Sequence, residues 1–294
     1  MNDIIVIVGP TGVGKTKLSI ELAKRLDGEI INGDSVSIYK RLNIGSAKPT
    51  IEEMDGIKHH LIDIKDVDEE YTVYDYQKDS RKAIDEINNR GKRVIIVGGT
   101  GLYIKACLYD YKFSREEEFN SYEELSNEEI YKRIKEYDKD IDVHINNRQR
   151  LVRLLNKINN NSSFTNNKDE LLYPVKVIGL TSDRDIIYNR INNRVEEMIK
   201  NGLLDEINSL KNYYHNSRVL NSAIGYKEFY DYLFNDLDID SVIERIKKDS
   251  RHFAKRQYTF FNHQFDVEWF NVDFDNFNNT IDEVYNYIIK DSTM

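Results

Sequence analysis

Short apolar runs punctuate the chain at residues 3–8, 29–32, 94–97, 175–180 and 267–270. Continuous runs of this length suit strands buried on both faces. Between them the apolar spacing lengthens to three or four. Leu18, Leu22 and Leu26 share one helical face, and a second helix is predicted near 74–89, closed by Gly91. Such alternation predicts an α/β fold in which a parallel sheet is flanked by helices.

The texture changes between about 113 and 167. Residues 116–140 are acidic and helical in pattern, which reads as a solvated surface. A helix over 147–159 carries Leu151, Leu154, Leu155 and Ile158 as its stripe, and a polar loop follows over 159–168. The expectation is a P-loop-like core over 1–112 and 171–294, with a mostly helical insertion at 113–170. The length of 294 residues allows roughly two domains. Helices are predicted near 183–200, 203–212, 222–234, 238–258 and 281–290.

The first apolar run leads into Gly9, Pro10, Thr11, Gly12, Val13, Gly14, Lys15 and Thr16, a full match to G-x-x-x-x-G-K-[ST] between a strand and a helix. Backbone N–H groups freed by the glycines, with the helix N-terminus behind them, suit a phosphate chain. Lys15 can neutralise a terminal phosphate, and the Thr16 hydroxyl can hold Mg²⁺. P-loop kinases carry a magnesium-holding acid at the end of one strand. Here the run at 94–97 ends in Gly98-Gly99-Thr100, and the acid stands at the end of 29–32, as Asp34. Ligands of open α/β sheets bind at the carboxyl ends of the strands, so the P-loop, Asp34 and Thr100 are expected in one crevice. A carboxylate and a hydroxyl beside a diphosphate suit a base and a leaving-group donor, hence transfer to or from a phosphorylated donor.

Charge changes this picture only locally. The net charge of −9 argues against bulk attraction to nucleic acid. Yet from 244 to 256 the basic Arg245, Lys247, Lys248, Arg251, Lys255 and Arg256 outnumber Glu244 and Asp249, with aromatic residues interleaved. Phe253 and Phe261 are expected to be buried. One cysteine, Cys107, excludes a disulfide framework and reads as a small buried apolar residue. His59-His60 has no companion ligands, so a structural role at a strand end is expected. No apolar stretch approaches ~18 residues and no basic leader opens the chain, so a soluble, cytoplasmic protein without a membrane partner is expected.

Eight ordered segments then carry a resemblance. GPTGVGKT is followed by DSVSIYKRLNIGSAKP, HHLIDI, VGGTGLYIKA, NNRQRLVR, RINNRVEEMIKNGL, AIGYKEF and AKRQYTFF, spanning residues 9 to 261. Together they resemble the tRNA dimethylallyltransferase (tRNA isopentenyltransferase) family. The resemblance implies that the P-loop holds the pyrophosphate of dimethylallyl pyrophosphate with Mg²⁺, and that Asp34 takes a proton from the N6 amine of adenosine. It implies that Thr100 contacts the departing pyrophosphate, as do Arg194 and, beside it, Arg190. For Arg194 the bland alternative is an ion pair with Glu196 or Glu197. The acceptor adenosine, in the anticodon stem-loop of tRNA, must be extruded from its stack. The resemblance places it near Asp34, Ser35, Val36 and Ser37. It assigns the RNA grip to Gln149, Arg150, Leu151, Val152 and Arg153, with Arg148 beside them, and the basic patch adds Arg251, Lys255 and Arg256 with Gln257.

Ser37 and Ser46 depart from residues common in that family, as does Arg41-Leu42-Asn43, and Ser46 keeps a hydroxyl. A zinc-finger extension is not expected with one cysteine, and a monomer of the short bacterial type is. Two rivals stay open at this point: a small-molecule or nucleoside kinase, which needs ATP, and a non-catalytic RNA-binding P-loop protein, which would bind tRNA without turnover.

Overall fold

The computed structural model of the chain describes residues 3–113, 120–160 and 170–290. The chain divides into two compact units, Met1–Tyr109 with Leu171–Met294, and Asp110–Glu170.

In the first unit, β1 (Ile4–Val8) leads through the glycine-rich loop into α1 (Lys15–Arg25). Strand β2 (Gly28–Asn32) is followed by a long loop, the single turn α2 (Ile51–Met54) and the two-residue strand β3 (His59–His60). Helix α3 (Val73–Asn89) starts at a capping box in which Thr72 and Asp75 satisfy each other's backbone N–H. Then come β4 (Arg93–Val97) and α4 (Gly101–Leu108). The second unit contributes α5 (Asn127–Tyr137) and α6 (Arg148–Asn159). The chain returns through β5 (Val175–Thr181), α7 (Arg184–Lys200), α8 (Leu203–Leu210), the short α9 (Tyr230–Phe234), α10 (Ile239–Gln264), β6 (Val267–Asn271) and α11 (Phe277–Lys290).

The described strands form one six-stranded sheet in the order β3-β2-β4-β1-β5-β6, parallel throughout. Both faces are covered, as a parallel sheet requires. Ile4, Val6 and Val8 of β1 point into a core shared with α3, α4, α8 and α10. Ile5 and Ile7 point the other way, into a core built with α1 and α11. That two-sided burial is why β1 reads as an unbroken apolar run.

Several boundaries differ from the expectations. Helix α10 runs six residues past the predicted end at 258, because Phe261 is fully buried while Phe265 caps the helix. Residues 222–234 form turns, a 3₁₀ segment at Lys227–Phe229 and only then α9. Gly225 holds φ of +90° there, which an α-helix cannot accommodate. Cys107 and Phe261 are buried as expected, whereas Phe253 is half-buried.

The second unit is a helix pair with its own core of Tyr122, Ile130, Ile134, Val143, Leu151, Val152 and Leu155. Asn156, buried among them, exchanges hydrogen bonds with the backbone of Asn120. Residues 116–119 of the acidic stretch and most of the polar loop over 159–168 lie outside the described residues.

Candidate active site

The site grows out of the carboxyl ends of β1, β2 and β4. Gly9 leaves β1 at φ of +138°, and a Cβ there would lie 2.5 Å from the Leu180 carbonyl oxygen of the neighbouring strand. The loop thus lies flat against β5 only as glycine. Gly14 then caps α1 in the left-handed region with no side-chain cap, so the first N–H groups of the helix stay free for an anion. Lys15 folds back, its Nζ donating to the Gly9 carbonyl at 2.9 Å and the Pro10 carbonyl at 2.8 Å. Loss of hydration lowers its pKa to about 7; the Arg194 charge adds to this and Asp34 opposes it.

Beside it, β2 and β4 end in adjoining turns. Gly33 N–H donates to the Val97 carbonyl and Thr100 N–H to the Gly33 carbonyl. Asn32 braces the β2 turn, accepting from Asp34 N–H and donating to the carbonyls of Asp34 and Leu61. Asp34 accepts the Val36 N–H on Oδ1 at 3.0 Å. Its other oxygen lies on the Gly99 side, 3.8 Å from where a Gly99 side chain would begin. Thr100 occupies the N-cap of α4, yet its hydroxyl caps nothing. It accepts from the Ser35 N–H at 3.0 Å and donates toward Ser35 Oγ at 3.3 Å. Both helices that open at the site therefore begin without a side-chain cap.

Two arginines come from α7. Arg194 reaches the P-loop, Nη1 donating to Thr11 Oγ1 at 3.2 Å and Nη2 to the Ala47 carbonyl at 3.4 Å. Burial lowers its pKa against the pull of Asp34. Among the described residues it forms no ion pair with Glu196 or Glu197, the bland alternative: Glu196 binds Lys247 at 2.6 Å, and Glu197 acts on Arg194 only through its charge. Arg190 donates from Nε to the Gly12 carbonyl at 2.9 Å and lies 4.0 Å over the Phe274 ring. It braces the loop from outside.

Four of the residues expected at the RNA are buried in the structure. Leu151 and Val152 face the core of their own unit, since the helix must bury its stripe; Gln149, Arg150 and Arg153 are exposed beside them. Arg148 is spent internally, donating to the carbonyls of Leu125 and Tyr122. Ser37 is only 5% exposed, behind Ser35 and Val36. Gln257 is 4% exposed and donates to the Gly99 carbonyl at 3.1 Å, one helical face away from exposed Lys255 and Arg256. Arg251 donates to Asn192 Oδ1, and Arg245 and Lys247 are committed to ion pairs with Asp231, Glu196 and Glu244.

His59 and His60 lie on β3, as expected of structural residues. His60 Nε2 is 2.6 Å from Glu29, which Arg90 also grips through two nitrogens. No cluster of three or more His, Cys, Asp or Glu able to hold a metal exists among the described residues. Nor is any helix among them long and apolar enough to cross a membrane.

A P-loop on a parallel sheet, with a lysine and a deep arginine facing a carboxylate at the strand ends, defines a P-loop transferase whose donor carries a phosphate chain. The chain belongs to the IPP transferase family, whose model matches residues 37–264. It is 45% identical to the tRNA dimethylallyltransferase of Bacillus mycoides over 284 residues, covering 92% of this chain and 90% of that one. The Bacillus licheniformis enzyme of that name is 45% identical over 286 residues, with the same coverage. Among solved structures, the tRNA isopentenylpyrophosphate transferase of Bacillus halodurans superposes with a TM-score of 0.77 at 39% identity, over 99% of this chain and 96% of that one. A eukaryotic dimethylallyltransferase captured acting on tRNA superposes with a TM-score of 0.77 at 30% identity, over 92% of this chain and 74% of that one.

Proposed function

We infer that the protein transfers the dimethylallyl group of dimethylallyl pyrophosphate to a tRNA adenosine, at N6 of the nucleotide immediately 3′ of the anticodon. One observation carries the chemistry: Lys15 and Arg194 both reach the P-loop, and Asp34 lies close enough to act on each of them. A carboxylate beside a phosphate cradle would serve a phosphoryl-transfer kinase as base too; alkyl transfer is favoured over it because the relatives of the chain are dimethylallyltransferases.

In the reaction the N6 nitrogen attacks the allylic carbon, the carbon–oxygen bond to pyrophosphate breaks, and the amine proton passes to Asp34 Oδ2. Lys15, Arg194 and the free N–H groups of α1 take up the charge that develops on the leaving group. Thr100 turns its hydroxyl from Ser35 Oγ toward the pyrophosphate. Arg190 keeps Gly12 in place and does not need to touch the donor. Thr16 would hold Mg²⁺ through its hydroxyl, with phosphate oxygens of the donor and water as the remaining ligands, as suits an ion that needs few protein ligands. When bound it supplies further neutralisation of the leaving group. The residues assigned to the RNA are Gln149, Arg150 and Arg153 on α6 and, taken separately, Arg251, Lys255 and Arg256 on α10. The protein works as a cytoplasmic monomer.

The test is incubation of purified protein with unmodified tRNA, Mg²⁺ and labelled dimethylallyl pyrophosphate, beside a tube with labelled ATP. Label entering tRNA from the prenyl donor alone is the expected result. Phosphate moving from ATP to a small acceptor, with no prenylation, would overturn it.

A further inference from the structure

Glu206, on α8, turns both carboxylate oxygens to one loop. Oε2 accepts the N–H groups of Asn43 at 3.0 Å and Ile44 at 2.9 Å. Oε1 accepts the Gly45 N–H at 3.2 Å and the Tyr226 hydroxyl at 2.7 Å. Three successive backbone N–H groups around an anion form a nest of the kind that binds phosphate; here the protein fills it with its own side chain. Among the described residues Glu206 is in no ion pair, so its charge serves the loop.

The loop is boxed in elsewhere too. A Cβ on Gly45 would lie 2.6 Å from the Tyr226 ring, and one on Gly225 would lie 3.0 Å from the Gly45 carbonyl oxygen. At its far end Lys48 donates to the Tyr39 carbonyl, Asn43 Oδ1 and Asp63. Between these anchors Ala47 is held at φ of +50°, a left-handed conformation that is strained for a residue with a Cβ. The Ala47 carbonyl is the acceptor of Arg194 Nη2. Arg194 is thus oriented by two neutral acceptors, the Ala47 carbonyl and the Thr11 hydroxyl. Neither cancels its charge, which stays available to a diphosphate.

We propose that Glu206 is a positioning residue for donor binding: by clamping 43–45 it sets the Ala47 carbonyl that aims Arg194 at the P-loop. The proposal rests on Arg194 serving the donor diphosphate. The experiment is calorimetric titration of pyrophosphate into the wild type, Glu206→Gln, Arg194→Ala and the double variant. Glutamine leaves one acceptor oxygen and sets an N–H₂ against groups that are themselves donors.

Glu206→Gln is expected to weaken pyrophosphate binding about tenfold, the worth of roughly one hydrogen bond to a charged group. In the Arg194→Ala background the same change is expected to cost less than about twofold, since the two residues act through one contact. In steady state, KM for the prenyl donor rises while KM for tRNA holds. Equal weakening in both backgrounds, or none in either, overturns the positioning role. If Arg194→Ala itself leaves pyrophosphate affinity intact, the donor assignment of Arg194 falls, and Glu206 with it. Should Glu206→Gln fail to fold, Tyr226→Phe removes one donor from Oε1 and is expected to act in the same direction, again only when Arg194 is present.

Discussion

Gln257 donates its side-chain amide to the Gly99 carbonyl at 3.1 Å, and it reaches that carbonyl only because Gly99 has no side chain. A Cβ on Gly99 would lie 2.1 Å from the Gln257 amide nitrogen and 3.8 Å from Asp34 Oδ2. A buried polar side chain on α10 thereby supports the turn between Asp34 and Thr100. Gly99→Ala must expel Gln257, at a cost of about 1–3 kcal/mol in stability. Turnover is expected to fall at least ~10-fold as the turn shifts. Thermal melts and single-turnover rates check both; an unshifted rate would show that the turn need not be held.

Asp34→Asn keeps an oxygen for the Val36 N–H, so the turn should survive. What it loses is the proton acceptor. Single-turnover prenylation is expected to slow by ~10²–10⁴-fold, with donor affinity within a few-fold of wild type. A rate within a few-fold of wild type would remove Asp34 from the role of base.

Lys15 has a pKa lowered to about 7 by loss of hydration and by Arg194. A lysine held low in the folded state penalises folding at acidic pH; the penalty fades as pH rises from 7 toward 10.5. The same shift makes donor binding proton-linked. An alkyl diphosphate, whose last ionisation near 6 is complete at pH 8, meets a mostly neutral lysine there and recharges it. Calorimetry at pH 8 in buffers of different ionisation enthalpy should show uptake of close to one proton per diphosphate bound. No uptake would mean that the amine is charged before binding.

Glu29 is buried beneath the sheet's edge, and burial alone would raise its pKa. Hydrogen bonds from Arg90 and His60 outweigh that and hold it near about 2. Its contribution to stability is present above the ordinary carboxylate range and is lost as pH falls from 4.5 toward 2. Glu29→Gln is expected to lower stability at pH 7 by on the order of 2 kcal/mol, with the difference from wild type closing at the acid end. Denaturant melts at several pH values read this directly; a pH-independent difference would deny the linkage.

On the proposed reading, α6 grips RNA with its exposed face and packs its unit's core with the other. Arg150→Ala with Arg153→Ala should leave the melting temperature unchanged, raise KM for tRNA and flatten its salt dependence by about one to two phosphate contacts. Leu151→Ala, whose side chain is fully buried, should instead destabilise its unit by about 2–5 kcal/mol. Reversal of these phenotypes would mean that the helix presents its other face.

What the sequence determined by itself was whatever depends on neighbours along the chain. Short apolar runs marked β1, β2, β4 and β5, because the middle of a strand buried on both faces is apolar on both. The P-loop was legible because glycines, lysine and hydroxyl must follow one another at fixed spacing. Asp34 and Thr100 were legible because strand ends of a parallel sheet share one edge. Strand β3, with only two residues, carries no periodicity to read. Gln257 and Arg256 are adjacent in sequence, yet one is interior and the other exposed, and only the packing of α10 against Gly99 settles which. Val152 fell within a basic motif while its helix used it for the core; Leu151 was already marked by its stripe. The Glu206 clamp was invisible, since it joins residues more than 160 positions apart through backbone N–H groups. Backbone donors carry no residue signature, so only the tertiary fold decides which side chain meets them.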